Sequence, residues 1–81
     1  ESAVASFITP YLKNAENANL SIYNVKGQLV KTLVNGHVNA GSHEVVWNGV
    51  DNNNNNVGSG VYFYRLSTPT SNEVKKMVLM K

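Results

Sequence analysis

The sequence predicts an all-β protein closed as a two-sheet sandwich. Three observations predict this: short segments with apolar residues at every second position, turn-forming residues between them, and no helix-length segment with apolar residues three and four apart. Each sheet must hide one apolar face, and six or seven short strands in 81 residues leave face-to-face packing of two sheets as the natural closure.

The elements follow in order. Ala3 to Thr9 carries Val4, Phe7 and Ile8 and stops before Pro10, which cannot lie inside a central strand. Asn14 to Asn17 supplies turn residues, and Leu20, Ile22, Tyr23 and Val25 make a second strand closed by Gly27. Gln28 to Val34 has few polar positions, so both its faces should be partly covered. Asn35-Gly36 is a strong turn dipeptide because both residues tolerate positive φ. Asn39 to Ser42 supplies a further break. Ser42 to Trp47 then points His43, Val45 and Trp47 to one face, and Glu44, Val46 and Asn48 to the other. After Asn48-Gly49 and the asparagine run, Tyr62, Tyr64 and Leu66 alternate with Val61, Phe63 and Arg65, and Glu73 to Met80 gives the last strand.

Composition limits the function. An apolar fraction of 42% is that of a folded domain, and the whole of 1–81 reads as one. Without cysteine there is neither a disulfide framework nor a thiolate metal site. Net charge is +2, and Arg65 is the only arginine, so the dense basic face that nucleic-acid binding requires is missing. No apolar run approaches the roughly 20 residues of a bilayer crossing. An export signal would lie upstream, in a longer parent protein.

No constellation for catalysis emerges. His37 and His43 flank a glycine-containing turn, but Glu44 points away from His43 on a strand, which speaks against a zinc site. Asp51, Asn53 and Asn55 match the start of an EF-hand loop, yet Asn56 stands where glycine is needed and Tyr62 where the bidentate glutamate belongs. The run is therefore read as a polar turn, with a weak hydrated cation site as the lesser alternative. Gly58-Ser59-Gly60 lacks the lysine and helix of a phosphate cradle. No enzyme, cofactor or metal is expected. Among the aromatics, Tyr62 and Tyr64 read as core. Tyr62 stands two residues before Tyr64, as in an Ig-type tyrosine corner, whose hydroxyl bonds back to the main chain. Trp47 and Tyr11 remain candidates for stacking on a sugar.

Three motifs in register, NLSIYNVKGQLVKTLV, AGSHEVVWNGVDNNNNNVGSGVYFYRL and KKMVLMK, resemble the C-terminal sorting domain of proteins exported by the bacterial type IX secretion system. They are also similar to the Ig-like domain of flagellar hook-capping proteins. The resemblance covers Asn19 to Lys81. It implies an Ig-like β-sandwich of about seven antiparallel strands, at the end of a larger secreted protein. It further implies recognition by an outer-membrane translocon, removal by a sortase-like peptidase, and a location outside the cell or on its outer surface, reached through the periplasm. Carried over residue by residue, the family motifs fall on Gly27, on Gly60, Tyr62 and Tyr64, and on Lys75, Lys76, Val78 and Leu79. Two readings stand beside it: a carbohydrate-binding accessory module using Trp47 and Tyr11, and a purely structural Ig-like module.

The last strand also has a reading independent of the resemblance. Its apolar face can pack on a sheet while its free edge joins the sheet of a receptor, with lysines setting the register. The same lysines also guard an edge against aggregation. An unpaired edge allows homodimers or strand exchange in isolation.

Overall fold

In the computed structural model, which describes residues 5–80, the chain is an Ig-like β-sandwich of six strands. These are β1 (Ala5–Ile8), β2 (Glu16–Tyr23), β3 (Leu29–Val38), β4 (Glu44–Trp47), β5 (Gly60–Ser67) and β6 (Asn72–Leu79). All neighbours are antiparallel, and the strands divide into a two-stranded sheet, β1-β4, and a four-stranded sheet ordered β3-β2-β5-β6.

The alternation read from the sequence places the core. Ala18, Leu20 and Ile22 of β2 and Tyr62, Tyr64 and Leu66 of β5 turn inward, where they meet Leu12, Val30, Trp47 and Leu79. On β4, Val45 and Trp47 face in while Glu44 and Val46 face out, as expected. The two sheets are tied across the core by Tyr64, whose ring stacks on Phe7 with centroids 4.1 Å apart and whose hydroxyl donates to the Ile8 carbonyl at 3.2 Å. Thr9 closes the end of β1 onto β4: its N–H donates to the His43 carbonyl, and its Oγ1 accepts from the His43 N–H, both at 2.9 Å. β1 stops two residues before Pro10, as the ring requires.

Three local expectations are corrected. The described residues hold six strands rather than about seven. Asn14 to Asn17 is not wholly turn, because β2 already begins at Glu16, paired with Val38. Asn35-Gly36 does not turn at all: the two residues lie within the ten-residue β3, opposite Asn19 and Ala18. The ladder satisfies their main-chain groups, and tertiary pairing overrides the local turn preference. The expected partial cover on both faces of β3 goes with two register shifts against β2. Val4, at the start of the first predicted strand, and Lys81 lie outside the described residues.

Candidate functional site

The asparagine run folds as a turn organised by Asp51. Its Oδ1 accepts from the Asn53 and Asn55 N–H groups at 2.9 and 3.0 Å, and its carbonyl accepts from Asn54 N–H at 2.9 Å. Asn54 takes the left-handed conformation at φ 65°, which asparagine tolerates. The carboxylate oxygen that would have led a cation loop is thus occupied by backbone donors. One further asparagine has a structural use: Asn52 N–H donates to the Val30 carbonyl at 2.9 Å, and its Oδ1 accepts from Thr32 N–H at 3.1 Å. Since the ladder on the other side of β3 belongs to β2, Asn52 acts as a one-residue strand that covers the start of the free edge of β3, at Val30 and Thr32.

The histidines do not converge. His37 is exposed on β3, and the His43 ring nitrogen Nε2 lies 2.8 Å from the Asn39 carbonyl. Among the described residues no three His, Cys, Asp or Glu side chains group closely enough to hold a metal ion.

Trp47 is withdrawn from sugar binding. Its side chain is 1% exposed, its indole N–H donates to the Val50 carbonyl at 2.9 Å, and its ring meets Tyr62 edge-on at 5.0 Å. A ring buried on both faces offers nothing to a pyranose. The reason is size: a thin sandwich uses its largest side chains as core. Tyr11, at 68% exposure, stays on the surface without an aromatic neighbour. Tyr62 is the predicted tyrosine corner, with its hydroxyl donating to the Gly58 carbonyl four residues back at 2.6 Å. Burial pushes the Tyr62 and Tyr64 phenols above their ordinary pKa.

The motif residues at the C-terminal strand separate by face. In the β5–β6 ladder, Tyr62 pairs with Met77 and Gly60 with Leu79 on the core side, while Arg65 pairs with Val74, Phe63 with Lys76 and Val61 with Val78 on the outer side. Leu79 is buried, whereas Val78 and Val74 are each 56% exposed. Lys75 shares the inner side with Leu79 but is exposed, as is Lys76 on the outer side. Leu79 and Tyr62 therefore anchor the strand, and Val74, Lys76 and Val78 are what it presents.

The outer face continues onto the neighbouring strands. Tyr23, Val25, Gly27, Phe63, Arg65 and Val74 line an open cavity of about 360 Å³. Arg65 lies over the Tyr23 ring, 4.6 Å from its centroid, and donates to its hydroxyl. Gly27, at φ +81°, makes the β2–β3 turn, in which Asn24 Oδ1 accepts from Lys26 and Gln28 N–H at 2.9 and 3.0 Å. Sequence reading picked out Gly27, Lys76 and Val78 on this face. Alternation puts Phe63 and Arg65 on one face, but their juxtaposition with Tyr23 depends on the β2–β5 pairing of Tyr23 with Phe63, a long-range register that no local pattern encodes.

A six-stranded antiparallel sandwich with its buried side-chain polar atoms hydrogen-bonded, and no metal-holding group of His, Cys, Asp or Glu among its described residues, is an Ig-like module. The profile of the FlgD Ig-like domain matches residues 2–72, and the chain belongs to that family. Among solved structures, FlgD from P. aeruginosa is similar, with TM-score 0.68 and 24% identity over 98% of this chain. That likeness concerns the fold, and the chain spans 58% of the FlgD chain's length. No curated protein matches the sequence.

Proposed function

We propose that the chain is a non-catalytic sorting and attachment domain of a larger secreted protein, read by the type IX secretion machinery at the outer membrane and then removed by a sortase-like peptidase. The observation that carries this reading is the division of β6 into an anchored inner side and a presented outer side, beside a main-chain edge that no other described strand pairs. Such a strand can be recognised by β-addition without unfolding the domain, with main-chain bonds giving affinity and side chains giving selectivity. The motif order in the sequence favours the secretion machinery as the reader. The cargo would travel through the periplasm to the cell surface.

Deleting Val74 to Lys81 does not test this, because it removes Leu79 from the core and the partner of β5. Outward-facing substitutions do. A reporter fused to this domain should leave the periplasm in a bacterium with the machinery, and Lys76→Glu or Val78→Glu should block it while circular dichroism stays that of the folded domain. Retention of the unaltered fusion in the periplasm would sink the reading. A second reading, a structural module of a flagellar-cap type of assembly, is favoured by the family match. It predicts no export of the reporter.

A further inference from the structure

The edges of the two sheets are not equivalent. β1 and β4 have four residues each, and Asn52 covers the ten-residue β3 at Val30 and Thr32. β6, eight residues long, is the other extended edge of the larger sheet and the one that carries the most charge. Glu73, Lys75 and Lys76 on it are exposed, and none of their side chains is hydrogen-bonded or ion-paired to another described residue.

We propose that this edge pairs antiparallel with the β6 of a second copy, about a two-fold axis at Val74, to make one continuous eight-stranded sheet. The argument is charge complementarity. A two-fold axis normal to the sheet keeps the core side of both copies on one side, so a residue can face only residues of its own parity. Four such registers are centred between Glu73 and Lys76. Centred on Glu73, the register sets glutamate against glutamate; centred on Lys75 or Lys76, it sets lysine against lysine. Like charges directly opposite each other are destabilising. Among registers centred within β6, only the one centred on Val74 sets opposite charges against each other between its residues. It places Glu73 opposite the second copy's Lys75, and Lys75 opposite its Glu73, on the inner side. On the outer side the two Val74 side chains meet, each beside the exposed surface formed by Tyr23, Phe63 and Arg65. The lysines thus select one pairing as well as discouraging others. In this register only Asn72 to Lys76 of each β6 face one another, an edge contact well below the roughly 1,000 Å² of a stable interface, so the dimer is weak and concentration-dependent.

The test uses the whole 81-residue chain, which contains no cysteine. Under mild oxidation at high concentration, Val74→Cys should form a disulfide-linked dimer rapidly, because the two sulfurs meet at the axis. Lys75→Cys and Lys76→Cys should not, because their equivalents lie roughly 8 and 14 Å apart at about 3.4 Å per residue along the strand. In sedimentation equilibrium, Glu73→Lys and Lys75→Glu should each weaken the dimer, and the double exchange should restore it. Absence of a dimer for the unaltered chain overturns the proposal. So does a dimer that survives both single reversals, which would be held by another surface or by exchange of a terminal strand. Equal cross-linking at positions 74, 75 and 76 overturns the register.

Discussion

Neighbouring residues of β6 should differ sharply in what their substitution costs. Leu79 is 1% exposed and Val78 56%. Leu79→Ala deletes a buried aliphatic side chain, for which the usual cost is about 2–5 kcal/mol, increasing with the cavity left behind. The cavity here should stay open, because the residue paired with Leu79 on β5 is Gly60, which has no side chain to move into it. A cost of about 3 kcal/mol or more is therefore expected. A domain of this length has about 4–12 kcal/mol in total. Val78→Thr keeps the β-branch on an exposed position and should change stability by less than about 0.5 kcal/mol. Urea titration followed by the fluorescence of Trp47, the only tryptophan, reads both. With a slope near 1 kcal/mol per molar, Leu79→Ala should lower the midpoint by about 3 M and Val78→Thr by less than about 0.5 M. Equal shifts, or a neutral Leu79→Ala, would refute the docking of β6 on the core in this register.

Trp47→Ala should cost about 3–5 kcal/mol, a large part of the total, so any loss of polysaccharide retention in an affinity gel would follow loss of far-ultraviolet dichroism. Tyr11→Ala should leave the thermal midpoint within a degree or two. The raised Tyr62 and Tyr64 phenols mean that the folded state holds their protons more tightly than the unfolded chain. Their contribution is present below the unfolded pKa of about 10 and is lost as pH rises through the folded values. The thermal midpoint should therefore fall between pH 9 and 11.5, less so in the Tyr64→Phe variant, and a flat profile would contradict the burial. Asn52→Ala should cost about 1 kcal/mol and speed hydrogen exchange at the Thr32 amide. Millimolar calcium should leave the unaltered protein's midpoint unchanged, because Asp51 Oδ1 is already bonded by two backbone donors.

What the sequence disclosed, and what it hid, divides by the range of the interaction. Alternation of period two is local, and it placed Tyr62, Tyr64 and Leu66 on the buried side of β5 and Val45 and Trp47 on that of β4. The tyrosine corner was legible for the same reason, since the Tyr62 hydroxyl reaches only four residues back. Asn35-Gly36 misled because its turn preference is also local, whereas the ladder to Asn19 and Ala18 that overrides it spans most of a hairpin. Trp47 illustrates a different limit. Its alternation gave the face, but whether that face meets solvent or a second sheet depends on how the sheets stack. The Tyr23, Phe63 and Arg65 group was hidden most completely, since Arg65 and Tyr23 are 42 residues apart and meet only through the β2–β5 pairing.

The treatment of the sheet edges bears on why a recognition element would sit at β6 and not elsewhere. A free strand edge is an aggregation hazard, and this fold limits the others by brevity or, at Val30 and Thr32 of β3, by Asn52. Leaving β6 open retains that hazard on the strand with the highest density of charge. Lysines there reduce non-specific pairing while keeping the main-chain donors and acceptors available to a strand of matching charge. Anchoring by Leu79 and the ladder to β5 hold the edge extended before any partner arrives, so little ordering entropy opposes binding. Under the sorting reading, self-pairing and capture by a receptor use the same backbone groups and exclude each other. The weak, concentration-dependent character of the dimer then matters, because a tight one would hide the very edge that the machinery must reach.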